Sequence, residues 1–159
     1  MRFLLVPLVV LGLSLPLTAQ AGTIMEASIG YGMEVAPDAG GIQDPSVMLA
    51  VGWTLIDIFR AQVGFAAAYP KTGGLDPQGQ FQIRPMLVFD PPALPFFLRA
   101  TFAVKDPFSD DRRIDYGGSI GWNFTLLDIG LFAEVGVLPI GGDTVHWLVE
   151  GRGGAIFTF

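Results

Sequence analysis

Cysteine is missing from all 159 residues, histidine occurs once, at His146, and lysine twice, at Lys71 and Lys105. Without cysteine there is no disulfide, no thiolate metal site and no lipid attached to an N-terminal cysteine. One histidine among scattered carboxylates shows no metal-ligand spacing, so neither a metal nor a cofactor is expected. Basic residues are scarce as well: the formal net charge is −6 with no basic stripe, which argues against nucleic acid as a partner. Long apolar runs are also rare. Phe3 to Leu17 forms one, interrupted by Pro7, Gly12 and Pro16, and it is shorter than the roughly 20 residues of a membrane helix. With Arg2 before it and Ala19-Gln20-Ala21 after it, residues 1–21 read as a secretory signal. The expected mature chain, 22–159, is one domain by length and carries a charge of −7 once Arg2 is removed from the −6 total.

What the chain does have is period-2 alternation, in eight segments. Met25, Ala27, Ile29, Tyr31 and Met33 alternate with Glu26, Ser28, Gly30, Gly32 and Glu34. Further on, Val47 to Trp53, Ala61 to Tyr69, Phe81 to Phe89, Phe96 to Val104, Ile114 to Phe124, Leu131 to Val137 and Val145 to Phe159 repeat the plan. Each segment has one bulky apolar face and one small or polar face. The connections alternate between long (A-P-D-A-G-G-I-Q-D, for example) and tight (T-L-I-D-I, for example). An even number of strands with short turns at one end and longer loops at the other predicts an all-β, eight-stranded antiparallel up-and-down transmembrane barrel, termini and short turns in the periplasm. Gly52-Trp53 and Gly121-Trp122 each precede a T-L-x-D-I turn. This echo fits either a duplicated hairpin or convergence on an interfacial tryptophan and a turn-forming aspartate.

Alternation alone does not separate a membrane barrel from a soluble one, because both bury a face. The composition of the polar face does. A solvent-facing strand surface would carry many lysines and threonines; here it carries glycine, alanine, serine and a few charges. All four glutamates, Glu26, Glu34, Glu134 and Glu150, lie on it, and so do Arg60, Arg84, Arg99 and Arg152. Such balance suits a narrow lumen in which charges must pair. The expected lumen network is Glu26, Arg60, Arg84, Arg99, Glu134, Glu150 and Arg152, with inward glycines giving the guanidinium groups room. Met86, Val88, Phe97 and Phe132 are expected at one depth near the periplasmic end, where they would block water. Near the outer mouth, Glu34, Gln80, Gln82, Lys105, Asp115 and His146 predict a shallow polar pit. Pro85, mid-strand and without an N–H, predicts a bulge or weak point. The outer loops read as short and acidic, without an aromatic patch.

These features resemble the small eight-stranded outer-membrane barrels of the OmpA-domain and OmpX type, along the whole mature chain. The most specific motif is the ending, Ala155-x-Phe157-x-Phe159, which looks like the C-terminal signal read by the barrel assembly machinery. The resemblance implies a bacterial outer-membrane location, with lipid and lipopolysaccharide as contacts and that machinery as a partner during biogenesis; a monomer is expected. It does not choose the function, since such barrels serve as structural proteins, channels, adhesins and lipid A-modifying enzymes. A Ser119, His146, Glu150 hydrolase would need serine and imidazole within hydrogen-bond reach. Deacylase barrels place the serine two residues after the histidine, where this chain has Leu148, and His146 has inward parity. The expected role is structural or interaction-type, non-enzymatic, with a plugged lumen. A narrow gated channel or small-ligand barrel is the alternative, and a lipid-modifying enzyme the more distant one.

Overall fold

A computed structural model of the chain describes residues 22–35, 41–42, 45–68, 81–110, 112–126, 129–140 and 146–159. The expected leader, Gln80, Lys71 and most of the longer loops lie outside them, as does Leu127-Asp128 of the second T-L-x-D-I turn. The strands are β1 (Thr23–Val35), the two-residue β2 (Gly41–Ile42), β3 (Ser46–Ile56), β4 (Phe59–Ala68), β5 (Phe81–Phe89), β6 (Phe96–Lys105), β7 (Arg113–Leu126), β8 (Ile129–Ile140) and β9 (His146–Thr158). β2 only pairs with the end of β1, Gly41 opposite Glu34 and Ile42 opposite Met33. The eight long strands pair antiparallel in chain order, and β1 meets β9 from Ile24 opposite Thr158 to Val35 opposite Trp147. The sheet therefore closes on itself as an up-and-down barrel, and each alternating segment of the sequence supplies one stave.

The register sets the width. Partner by partner around the wall, Thr23 leads to Trp53, Ala61, Leu87, Ala100, Gly118, Val137 and Val149, then returns to β1 at Met33, ten residues further along. With a rise of about 3.3 Å per residue and strands about 4.8 Å apart, that stagger tilts eight strands roughly 40° from the axis. A barrel of this size has an interior just wide enough for side chains to fill.

Burial is inverted relative to a water-soluble protein. Leu49 is 65% exposed and Tyr116 66%, whereas Glu26 is 2% exposed, Arg99 3% and Arg152 4%. Charged side chains are almost never this buried unless paired, and an exterior this apolar matches lipid, not water.

The lumen is layered. Near the end that carries the chain termini, Val88, Phe97 and Phe132 pack together with Ile156 against them, the two phenylalanine rings edge to face at 6.2 Å. Toward the opposite ends of β6, β8 and β9, Ala103, Leu138 and Leu148 form a second apolar cluster, for which the sequence gives no expectation. Between these lie the charges, flanked on one wall by Met48, Ala50, Ala66 and Met86. Met86 thus belongs to that wall and not to the aromatic plug expected to include it.

One further expectation narrows and another changes. Of the bulge or weak point expected at Pro85, the structure has the weak point: β5 and β6 keep one register from Gln82 opposite Lys105 to Phe89 opposite Leu98, but Arg84 and Pro85 drop out of the ladder. The missing N–H interrupts pairing without moving the strand. The inward glycines also do not all serve guanidinium groups. A side chain on Gly30 would meet the Arg152 guanidinium, but one on Gly64 would meet Met48 and Met86, and one on Gly121 would run into the Phe97 ring. Gly121→Ala should therefore destabilise the barrel by about 1–3 kcal/mol through overpacking, measured by urea unfolding in lipid vesicles; unchanged stability would show that the plug is looser than this packing implies.

Candidate functional site

Six of the buried charges form one chain of alternating sign. Arg84 Nη1 donates to Glu150 Oε2 at 2.8 Å. The other Glu150 oxygen takes the Arg152 Nη2. Arg152 Nε faces Glu134 Oε1 at 4.0 Å, an electrostatic contact too long for a hydrogen bond. Glu134 Oε1 is 3.3 Å from Arg99 Nη1, and Arg99 grips Glu26 with both terminal nitrogens, at 2.9 and 3.0 Å. The sequence of charges is Arg84, Glu150, Arg152, Glu134, Arg99, Glu26, three of each sign.

Neutral side chains finish it. At the anionic end Gln62 Nε2 donates to Glu26 Oε2 (3.3 Å); at the cationic end Gln82 Oε1 accepts from Arg84 Nε (3.0 Å). Serines add further hydrogen bonds. Ser46 accepts from Arg152 (2.8 Å) and donates to Glu150 (3.4 Å), Ser28 accepts from Arg152 (3.3 Å), and Ser119 donates to Glu134 (3.3 Å). The Arg99 guanidinium also lies 5.2 Å from the Phe97 ring centre and 5.5 Å from that of Phe132, so the ladder rests on the aromatic plug through cation–π contacts.

The space left is small. The cavity among Arg84, Arg99, Thr101, Ser119, Glu134 and Glu150 measures 20 Å³, room for about one water and not for an organic ligand. No group of three histidine, aspartate or glutamate side chains that could hold a metal occurs among the described residues.

No family model matches the chain, and no curated protein matches it in sequence. Among solved structures, the crystal structure of Neisserial surface protein A (NspA) is similar at a TM-score of 0.58 and 15% identity, over 86% of this chain and 97% of that one. The N-terminal β-barrel domain of Pseudomonas aeruginosa OprF gives a TM-score of 0.46 and 14% identity, over 83% and 97%. The fold is that of the small eight-stranded outer-membrane barrels.

Within that fold, the residues singled out in the sequence do not all fall into the groups expected of them. Of the expected lumen network, Arg60 stands apart: it pairs at 2.7 Å with Asp90, just beyond β5, and Asn123 of β7 donates to both oxygens of the same carboxylate at 3.1 and 3.2 Å. Asp90 opens the D-P-P-A-L-P connection and reads as a turn residue, yet the β5 alternation, continued one step past Val88, gives it inward parity. The expected mouth pit is also only partly assembled. Lys105 and Asp115 pair at 2.7 Å, whereas Gln82 belongs to the charge ladder. Glu34 is on β1 opposite Leu148 and Gly41. His146 opens β9 opposite Ile140, with its side chain outside the described residues, and Gln80 lies wholly outside them. Of the hydrolase arrangement, Ser119 donates to Glu134 and Glu150 lies between two arginines.

At the chain's end, Ala155 and Phe157 pair with Ala27 and Met25, and the Phe159 N–H donates to Thr23 O at 2.9 Å.

Removing one member of the ladder strands its neighbours. Glu150→Ala leaves Arg84 and Arg152 buried and facing each other, a loss of about 3–5 kcal/mol. Arg99→Lys keeps the charge but not the fork, and should cost about 1.5–3 kcal/mol. Equilibrium unfolding in vesicles checks both; wild-type stability for either variant would contradict the ladder.

Proposed function

We propose that this chain is a non-enzymatic, structural or interaction-type protein of the bacterial outer membrane, inserted as a monomer with a lumen closed to solutes. The observation that carries this reading is the neutral six-residue charge ladder held between two apolar layers, Val88, Phe97 and Phe132 on one side and Ala103, Leu138 and Leu148 on the other. Opening a path would require breaking several buried ion pairs together, each several kcal/mol harder to separate in a low-dielectric interior than in water. A channel or small-ligand barrel needs continuous space, and the 20 Å³ beside the ladder does not provide it.

In this reading residues 1–21 direct export, the termini and the short turns lie in the periplasm, and the longer connections face outward among lipopolysaccharide. Ala155, Phe157 and Phe159 serve the barrel assembly machinery. Phe159, 75% exposed just beyond the end of β9, suits a strand end at the membrane interface, where its ring meets lipid.

Purified protein in planar bilayers should give no sustained single-channel conductance; stable unitary currents would overturn the closed lumen. Phe159→Ala should lower the amount of barrel assembled in cells several-fold while leaving refolding of the purified chain into detergent unchanged. Equal assembly in cells would remove the signal role.

A further inference from the structure

Phe108 is 88% exposed, more than any other large apolar side chain among the described residues. It lies in the connection from Asp106 to Arg112 between β6 and β7, a loop whose sequence reads as acidic and without an aromatic patch. The structure corrects that reading, because the loop is built to present this ring. Asp106 adopts a left-handed φ of 48°, a conformation that aspartate accepts better than most residues. Its N–H donates to Phe81 O at 3.2 Å, and Ser109 N–H donates back to Asp106 O at 2.9 Å, which closes a turn against the start of β5.

The turn lays the Phe108 ring on Phe81, centres 6.2 Å apart and planes 15° apart, and Phe81 in turn stacks on Phe65 at 6.3 Å and 23°. Phe65 and Phe81 have the outward parity of Val63 and Ile83, and Phe65 is 48% exposed on the apolar outer wall. Three rings therefore form a column that climbs the outside of the barrel from the apolar belt into the loop. A ring held by one stacking contact and otherwise uncovered is poorly placed in water, whereas the boundary between lipid headgroups and acyl chains favours aromatic side chains.

We propose that the β6–β7 connection is a lipid-docking surface: Phe108 seats in the interface of the leaflet at the barrel end opposite the chain termini and holds the loop down on the bilayer. The inference rests on the membrane-inserted reading above. Its occupant is lipid because the column is continuous with the lipid-facing wall, while Asp110, on the same loop, is an exposed charge.

The absence of cysteine makes the test direct. Single nitroxide labels at Leu49→Cys, Phe108→Cys and Asp110→Cys, in protein reconstituted into phosphatidylcholine vesicles, report collision with oxygen, which concentrates in lipid, relative to a water-soluble nickel chelate. The expected oxygen-to-nickel ratio at position 108 is several-fold above that at 110 and approaches that at 49. A ratio at 108 equal to that at 110, with 49 still oxygen-favoured, overturns the docking surface and leaves the inserted barrel standing. It would point instead to a loop available to a soluble partner. A water-accessible position 49 overturns both. A label at Pro107→Cys, compared with and without Phe108→Ser, isolates the ring itself. Loss of the ring should lower the ratio at 107, and an unchanged ratio contradicts the anchoring role.

Discussion

Everything inside this barrel follows from the cost of keeping charge in a narrow tube with little water. A single buried carboxylate or guanidinium would cost several kcal/mol, so no member of the ladder stands alone. Each interior member lies between two charges of the opposite sign, and the two end members are finished by glutamines of the correct polarity, a donor for Glu26 and an acceptor for Arg84. The rest of the lumen serves that constraint. Gly30 leaves room for the Arg152 guanidinium, Gly121 for the ring on which Arg99 rests, and apolar layers lie on either side of the ion pairs.

The same constraint explains which parts are legible in the sequence. Strand number follows from period 2, because a closed sheet with unlike surroundings on its two sides forces strict alternation; the up-and-down order follows from the alternating short and long connections, and the facing from the glycine, serine and paired charges of the small-residue face. Glu26 and Arg99, for example, carry their facing in their parity. What parity does not carry is height. Which inward residues share a level depends on the ten-residue stagger, and no single strand displays it. For that reason the sequence groups Arg60 with the ladder although it meets Asp90 at the rim, places Met86 with the aromatic plug, and does not reveal the layer of Ala103, Leu138 and Leu148.

Other differences have local causes. Pro85 removes two residues from the β5–β6 ladder without a bulge, since the opposite edge of β5 still pairs Pro85 with Val63 and Arg84 with Gly64 and holds the strand in place. Phe108 is silent in the sequence because one aromatic in an acidic turn has no periodicity to mark it. Its stacking on Phe81 depends on the backbone reversal at Asp106. Interior and exterior thus obey separate rules on one set of strands: charge pairing fixes the small-residue face, and the bilayer selects the bulky one.

The continuous ladder implies that the lumen charges act as one coupled unit and not as separate pairs. A double-mutant cycle on the two ends of the ladder, Glu26→Gln and Arg84→Met, tests this most directly, since among the described residues the two side chains share no ion-pair partner and are linked through Glu150, Arg152, Glu134 and Arg99. Unfolding free energies measured in vesicles should be non-additive by about 0.5–3 kcal/mol, as for residues within one network. Additivity to within about 0.3 kcal/mol would mean that the ladder is a row of independent ion pairs and would contradict the coupling on which the proposed closed lumen depends.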